Sequence, residues 1–211
     1  LDPSGVQEGD TLTARVKAAY YFGVPADNLR LSWNLARQND WHILPDGWRT
    51  GLADTEWMFY GGFIPGDYAF FVAQGSGVTN AQGEFEVSIP IEGLEALGLD
   101  RQTLIFEVSV ADESDLPVTA SARTVYHPSS FYVALKPDRW DSQVGRETGF
   151  NIQTIDWVDQ PSGNHDLRAS FQKVEWKQVR TEGEWNAWRY EKISSAAVNA
   201  DVRTDGLGRA R

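Results

Sequence analysis

The chain has 211 residues, of which 30 are Asp or Glu and 19 are Lys or Arg, and its formal net charge at pH 7 is −11. Apolar residues make up 41% and charged residues 23%, proportions typical of a globular chain, so the disordered and collagen-like classes are excluded. Cysteine is absent from the sequence, which excludes a disulfide scaffold, a thiol nucleophile and every Cys-ligated metal site.

The acidic balance argues against two kinds of partner. A phosphate-binding surface needs clustered Lys and Arg, and the sequence has no basic run longer than two residues. We therefore expect no nucleic-acid partner and no direct contact of this chain with a membrane. The apolar runs fall far short of the ~20 residues that span a bilayer. Residues 1–3 (LDP) lack a signal-peptide pattern, so any export signal would lie outside this chain.

Charge is distributed unevenly along the chain. Residues 1–127 contain 18 acidic and 7 basic residues, a net charge of −11, whereas residues 128–211 contain 12 of each, a net charge of zero. The change falls at residues 126–130 (YHPSS), a short polar segment with a proline. We therefore predict two domains, residues 1–127 and 128–211, joined at this segment.

Apolar and polar residues alternate through most of the first half, which is typical of half-buried antiparallel strands. The alternating segments lie at residues 12–22, 29–35, 85–91, 104–110 and 118–124. Turn residues separate them at 23–28, 80–83 and 111–115. Residues 91–99 predict a single helical turn, and residues 40–66 fit no regular pattern. The first domain is therefore predicted to be a β-sandwich of about seven strands.

The second half shows the same alternation in shorter segments, at residues 131–135, 150–155, 167–171, 174–179 and 198–202. A register change between residues 171 and 174 predicts a bulge in one strand. A turn at 204–208 (TDGLG) leads to a strand from residue 209 that we expect to pair with residues 198–202. The fold class is thus all-β, with two antiparallel β-sandwiches of the fibronectin or Ig-like kind, the second truncated at its C-terminus.

Histidine and serine give no catalytic signal. His42, His127 and His165 have no second His three to five residues away, so surface or linker histidines are predicted and no metal site. Ser76 lies in Gly-Ser-Gly at residues 75–77, which is not the G-x-S-x-G elbow, and we predict a flexible hairpin loop there. Phosphate-binding glycine motifs are absent from the sequence.

Two acidic clusters have spacings that calcium-binding loops also use. They are Asp112, Glu113 and Asp115, and Asp156, Asp159 and Asp166. Asp also forms ordinary turns, and this is the favoured interpretation. No pair among the 30 acids stands out as the two carboxylates of a glycosidase. We therefore predict no catalytic, cofactor-binding or metal-binding residues, and we do not expect an enzyme.

Nine tryptophans are a high number for this length. Trp33 alternates in phase with Leu29, Leu31 and Leu35, which predicts a core position. Five others lie in less regular stretches: Trp41, Trp48, Trp57, Trp185 and Trp188. Exposed Trp on a β-sandwich stacks on sugars or forms protein interfaces, but burial in inter-domain contacts is the favoured interpretation here.

Residues 20–29 (YYFGVPADNL) end the first alternating segment with a turn in which Gly23 permits an unusual φ and Pro25 fixes the next bend. This motif resembles the macroglobulin-like domains of bacterial alpha-2-macroglobulins. Three more segments extend the resemblance. Residues 77–85 (GVTNAQGEF) resemble the family's T-D-A-x-G-x-F hairpin, with Asn80 in place of the usual Asp. Residues 204–210 (TDGLGRA) resemble the same hairpin of the next domain, and residues 133–140 (VALKPDRW) are similar to that domain's first strand.

The resemblance covers nearly the whole chain as two consecutive macroglobulin-like domains, taken as the third and fourth of the series. It implies a large periplasmic or membrane-anchored protein, facing the periplasm or the exterior, that traps endopeptidases after they cleave a bait region. The family's thioester motif, C-x-E-Q, cannot occur in a chain without cysteine. The resemblance therefore implies a non-catalytic scaffold without cofactors, whose partners are other domains of the same full-length chain and, through the full-length protein, target endopeptidases.

Two alternatives belong to other functional classes. An Ig-like carbohydrate-binding or adhesin module would use exposed tryptophans. An accessory or catalytic region of a β-sandwich glycoside hydrolase would need the carboxylate pair that the sequence does not single out.

Overall fold

The computed structural model describes residues 1–40, 42, 44–51, 69–97, 101–111, 117–139, 141, 143, 145–180, 188–195 and 198–211. These residues form fifteen β-strands and two short 3-10 turns, and they contain no α-helix. The predicted all-β fold class is therefore confirmed. Among the same residues, none lies in a helix of the length and apolar character that a membrane span requires.

The chain divides into two compact units, Leu1–Tyr132 (unit 1) and Val133–Arg211 (unit 2). The division lies close to the polar segment 126–130. The domain limits of 1–127 and 128–211 remain a prediction.

The described residues of unit 1 contain eight strands. They are β1 (Gly5–Val6), β2 (Thr11–Lys17), β3 (Arg30–Asn39), β4 (Arg49–Thr50), β5 (Phe70–Val78), β6 (Glu84–Pro90), β7 (Gln102–Ala111) and β8 (Pro117–Tyr126). The 3-10 turns are Pro45–Gly47 and Glu95–Leu97. One sheet has the order β1-β8-β7-β3-β5, and only its β1–β8 pair is parallel. The antiparallel pair β2–β6 forms a second sheet.

The core of unit 1 is built from the alternate residues of both sheets. In β7, Leu104, Phe106 and Val108 are buried, and their partners in β3 are Arg37, Leu35 and Trp33. This is the period of two that the sequence predicts for a strand with one covered face. The buried apolar cluster comprises Val6, Leu12, Ala14, Leu31, Leu35, Ile89, Ile91, Leu94, Leu104, Phe106, Val108 and Tyr126.

Two glycines of β5 make room for aromatic rings in this core. A Cβ atom on Gly75 would lie 2.5 Å from Cζ2 of Trp33, and one on Gly77 would overlap the ring of Phe85. Trp33 is half-buried, packs against the core and stacks on Phe106 with ring centroids 5.8 Å apart. The predicted inward phase of Trp33 is correct, although its side chain is not fully enclosed.

Unit 2 contains seven strands. They are β9 (Tyr132–Pro137, beginning at the last residue of unit 1), β10 (Phe150–Ile155), β11 (Asp166–Phe171), β12 (Val174–Arg180), β13 (Trp188–Ser194), β14 (Val198–Arg203) and β15 (Arg209–Ala210). Strand β10 lies between β9 and β15, and two antiparallel ribbons, β11–β14 and β12–β13, complete the unit.

The interior of unit 2 is small. Its buried side chains among the described residues are Ala134, Ile152, Thr154, Ile155 and Thr204. Large apolar side chains elsewhere remain exposed, including Phe171 at 48% and Val198 at 70%. Burial of apolar surface is the main source of stability, and the described residues of unit 2 bury much less apolar surface than those of unit 1.

Several expectations about individual strands are wrong. Gly-Ser-Gly at 75–77 is part of strand β5 and not a flexible loop. Strands β11 and β12 are separate and pair with different partners, so no bulge joins them. Strand β2 ends at Lys17, because residues 20–24 already form the turn.

The pairing predicted for the C-terminal strands is also wrong. Strand β14 pairs with β11, from Val198 opposite Phe171 to Arg203 opposite Asp166. Strand β15 pairs with β10 instead of with β14. The turn predicted at 111–115 and most of the irregular stretch 40–66 lie outside the described residues.

Candidate functional site

The hairpin motif that carries the resemblance is a side-chain-capped turn, and it occurs in both units. Asn80 Oδ1 accepts hydrogen bonds from the backbone N–H groups of Gln82 and Glu84, both at 2.9 Å. Asp205 Oδ1 accepts the same two bonds from Leu207 and Arg209, at 2.9 and 2.8 Å. A short polar side chain that bonds backbone two and four residues ahead fixes the turn locally.

Each of these turns closes on a glycine in the left-handed region. Gly83 has φ 71° and Gly208 has φ 76°. Their carbonyls accept hydrogen bonds from Ala18 and Thr154, both at 2.8 Å. A Cβ on either glycine would collide with the carbonyl oxygen of the same neighbour. The glycine is therefore required both by its conformation and by the close approach of the neighbouring backbone.

The threonine before each turn links it to a second turn. Thr79 is buried, donates to the Ala26 carbonyl at 2.7 Å and accepts from Leu29 N–H at 3.0 Å. Thr204 is also buried and accepts from His165 N–H at 2.9 Å. Each unit thus contains a pair of turns joined through a buried threonine. The hairpin motifs in the sequence indicate the first turn of each pair but not its bond to the second.

The second turn of the pair has apolar residues at its tip in both units. In unit 1, Tyr21 and Phe22 are exposed, and Phe22 stacks on Tyr20 with centroids 5.4 Å apart. In unit 2, Trp157 is half-buried and Val158 is 71% exposed. Turn tips normally carry polar residues, so these apolar tips are candidate contact surfaces.

Two residues of the acidic cluster in unit 2, Asp156 and Asp166, have structural roles. Asp156 Oδ1 accepts the N–H groups of Val158 and Gln160, at 2.9 and 2.8 Å, in a third capped turn. Asp166 pairs with Arg203, its cross-strand partner, at 2.7 Å. The described residues contain no group of three or more His, Asp or Glu side chains placed to hold a metal ion. The cluster at 112–115 lies outside the described residues.

His127 differs from its predicted place at the surface or in a linker, because it is 4% exposed. Its backbone N–H donates to the Val6 carbonyl at 2.8 Å, and its Nδ1 lies 2.6 Å from the hydroxyl of Tyr132. The ring of Tyr132 also meets the ring of His42 edge-on at 5.5 Å. The third histidine, His165, bonds Ser162 through Nε2 at 2.8 Å.

Burial, together with the positive charge of Arg101, lowers the pKa of His127 to about 4 against the opposing effect of Asp40. Arg101 and Asp40 form an ion pair at 2.7 Å in which both side chains are about a quarter exposed. His127 is therefore neutral near pH 7. This cluster anchors the end of strand β8, and nothing in its geometry pairs a nucleophile with a base. Sequence reasoning missed it because its members come from distant segments.

A further anchor lies at the N-terminal part of unit 1. The Glu8 carboxylate accepts backbone N–H groups of Gly93, Leu94 and Glu95, the last two at 3.0 and 2.9 Å. The bond from Glu95, followed by those from Gly93 and Leu94, lowers the pKa of Glu8. The carboxylate thus caps the 3-10 turn Glu95–Leu97.

The tryptophans divide into those that the structure describes and those that it does not. Four described side chains, Trp33, Trp48, Trp157 and Trp176, are all partly covered. Trp41, Trp57, Trp140 and Trp185, and the side chain of Trp188, lie outside the description. The described tryptophans therefore offer no exposed aromatic platform for sugar.

Comparison with known proteins gives matches at the level of structure only. No family model matches the chain, and no curated protein matches it. The native conformation of Escherichia coli alpha-2-macroglobulin matches 99% of the chain with a TM-score of 0.60 and 16% identity. Salmonella alpha-2-macroglobulin reacted with methylamine matches 99% with a TM-score of 0.61 and 14% identity. E. coli alpha-2-macroglobulin activated by porcine elastase matches 99% with a TM-score of 0.57 and 18% identity.

The chain spans only 14–18% of the length of these structures. At such identities the likeness concerns the fold. The chain therefore has the fold of one segment of the bacterial alpha-2-macroglobulins, which confirms at the level of fold the resemblance found in its turn motifs.

Proposed function

We propose that this chain is a non-catalytic scaffold segment of a bacterial alpha-2-macroglobulin-like protein that traps endopeptidases. The observation that carries the proposal is the match of nearly the entire chain, 99%, to the fold of part of three such structures. A match that includes both units supports the proposal more strongly than a match of one sandwich would, since single sandwiches host many unrelated functions.

The described residues support a structural role over a chemical one. Thr79, Asn80 and Glu8 each form side-chain hydrogen bonds to backbone groups and so stabilise the turns around them. The buried His127 is neutral and bonded to Tyr132. In a protease trap the bait segment and the coupling chemistry would be supplied by other parts of a longer protein.

The proposal implies partners and a location. Other domains of the same polypeptide are the direct partners, and endopeptidases are met through the whole protein. The location would be the periplasm, with or without a membrane anchor elsewhere in the protein. The exposed turn tips at Tyr21 and Val158 are available for contacts with neighbouring domains.

A chimera tests this role. The segment of E. coli alpha-2-macroglobulin that aligns with this chain is replaced by residues 1–211, and cleavage of a large protein substrate by porcine elastase is measured. We expect the chimera to protect the substrate and the isolated chain to give no protection. A control chimera with Leu35→Asp, which places a carboxylate at a fully buried position, should lose protection together with its folded signal.

Two results would contradict the proposal. One is stoichiometric inhibition of elastase by the isolated chain. The other is a chimera that folds, as judged by circular dichroism and a cooperative melt, but gives no protection at all.

A further inference from the structure

The outer face of the five-stranded sheet in unit 1 carries an open groove of about 720 Å³. Side chains on this face point away from the core, because they alternate with the buried residues of the same strands. The groove crosses four adjacent strands in the order β8, β7, β3 and β5.

Strand register places a row of four hydroxyl groups across the groove. Ser32 of β3 pairs with Ser76 of β5 on one side and with Ser109 of β7 on the other, and Ser109 pairs with Thr119 of β8. Directly opposite residues in antiparallel strands point to the same face, and neighbouring strands lie ~4.8 Å apart. The small side chains of this row leave the groove open.

A second row runs parallel to the first, and its members lie two residues away from those of the first row on each strand. Asn34 pairs with Gln74 of β5 and with Glu107 of β7, and Glu107 pairs with Ser121 of β8. Asn34 Nδ2 donates to Glu107 Oε2 at 3.4 Å, a long bond that leaves both groups with capacity for other partners. We call the eight residues of these two rows the polar face.

An exposed aromatic ring borders the polar face. A register shift between Leu35 and Ala36 makes Phe71 the partner of Ala36, which places Phe71 on the same side as Asn34. Phe71 is 65% exposed. Exposed hydroxyl and amide groups beside an exposed ring are the combination that binds the polar edges and the apolar faces of a sugar.

The chemistry of the polar face excludes other classes of ligand. Its one ionisable group is Glu107, and residues 1–127 carry a net charge of −11, so an anion would be repelled. Its lining side chains are mostly polar, so it does not fit a lipid or an apolar helix. The backbones of β3 and β7 already pair on both sides, so no strand can be added there.

We propose that the polar face is a binding site for a neutral oligosaccharide, with Phe71 stacking on a sugar ring. The ligand's hydroxyl groups would replace water in hydrogen bonds to the two rows, and Glu107 would accept two of them. This inference does not depend on the proposed scaffold role, since it concerns one face of unit 1.

The experiment is titration of the ¹⁵N-labelled 211-residue chain with three neutral hexasaccharides: cellohexaose, maltohexaose and chitohexaose. We expect saturable shifts of amide signals in β3, β5, β7 and β8 with at least one of them. The expected dissociation constant is about 0.1–1 mM, since a shallow site gains little beyond the cost of ordering the ligand. Hexagalacturonate, an anionic counterpart, should bind at least tenfold more weakly.

Two variants test the location of the site. Ser109→Leu fills the middle of the groove and should weaken binding at least tenfold. Phe71→Ala removes the ring and should weaken binding about threefold to tenfold. Ser170→Leu, on an exposed strand position of unit 2, is the matched control and should change binding less than twofold. Melting curves establish that each variant is folded.

Three outcomes would overturn the inference. None of the three neutral hexasaccharides gives saturable shifts up to about 10 mM, ten times the weakest expected constant. The shifts saturate but map outside the four strands. A folded Ser109→Leu variant binds as tightly as the unaltered chain.

Discussion

Asn80 in unit 1 and Asp205 in unit 2 hold equivalent turns by accepting the same pair of backbone N–H groups, two and four residues ahead. One turn uses an amide oxygen and the other a carboxylate oxygen. The acceptor's position, and not its charge, is therefore what the turn requires. Replacing either residue by Ala should destabilise its own unit by about 1–2 kcal/mol, because two backbone donors lose their partner.

The matched control for this pair is Asn80→Asp, which keeps an acceptor oxygen in place. It should cost less than about 0.5 kcal/mol, within the range of a tolerated surface change. Hydrogen exchange of amides in the two units measures both effects. Equal loss of protection for Asn80→Asp and Asn80→Ala would show that the turn does not depend on the accepted bonds.

Gly77 of β5 is required by the ring of Phe85. Substitution by Val should destabilise unit 1 by at least about 1–3 kcal/mol, because the added carbons overlap the ring in the core. Denaturant unfolding measures the change. In a chain that already carries Phe85→Ala, Gly77→Val should cost less stability than it does in the unaltered chain, since the ring it would overlap is absent. Strict additivity of the two changes would contradict this packing.

Trp33 supports the core without being enclosed by it. Trp33→Ala should destabilise unit 1 by about 2–4 kcal/mol. This is less than the largest losses seen for fully buried aromatic residues, because the indole is only partly buried. Chemical denaturation followed by circular dichroism provides the value. A loss under about 1 kcal/mol would mean that the stacking of Trp33 on Phe106 contributes little.

His127 makes the stability of unit 1 depend on pH. Its folded pKa of about 4 lies below the ordinary value of 6.5, so the unfolded chain binds the proton more readily. Stability from this residue is complete above pH 6.5, falls as the pH drops toward 4 and then levels off. The total loss should be about 3–4 kcal/mol, since each unit of pKa corresponds to about 1.4 kcal/mol.

The free energy of unfolding is measured at pH 7.0 and pH 4.5 for the unaltered chain and for His127→Gln. The comparison separates the effect of His127 protonation from that of the carboxylates. The unaltered chain should lose more stability between the two pH values than His127→Gln does. An identical loss in both proteins would show that His127 titrates normally and is not held neutral by burial.

Unit 2 should unfold at a lower temperature or denaturant concentration than unit 1. Its described interior contains few large apolar side chains, and Phe171 and Val198 are exposed although their strands alternate correctly. Hydrogen exchange resolved by residue would show lower protection in β11 and β14 than in β3 and β7. Equal protection in the two pairs would contradict the difference in burial.

The sequence by itself determined the alternation of the strands and the positions of the capped turns, because both depend on residues close together in the chain. Alternation in β7 predicts its buried side from Leu104, Phe106 and Val108, because a strand's period of two is visible in its own residues. The turn at Asn80 is equally readable, since its side chain bonds backbone no more than four residues away. The acidic turn at Asp156 belongs to the same class.

Only the tertiary structure decided features that join distant segments. Gly75 and Gly77 look like loop residues until the rings of Trp33 and Phe85 occupy the space beside them. His127 becomes neutral and buried through Val6 and Tyr132, which no local pattern connects to it.

The same division holds for the pairing of strands and for the proposed site. Strand β14 could be recognised from its alternation, but its pairing with β11 depends on which edges meet in space. Ser32, Glu107 and Thr119 each read as ordinary outward-facing residues, and the register of the sheet brings them to one groove on its outer face. A sequence fixes the period of each strand through near-neighbour geometry, whereas partners, burial and shape depend on contacts between residues far apart in the chain.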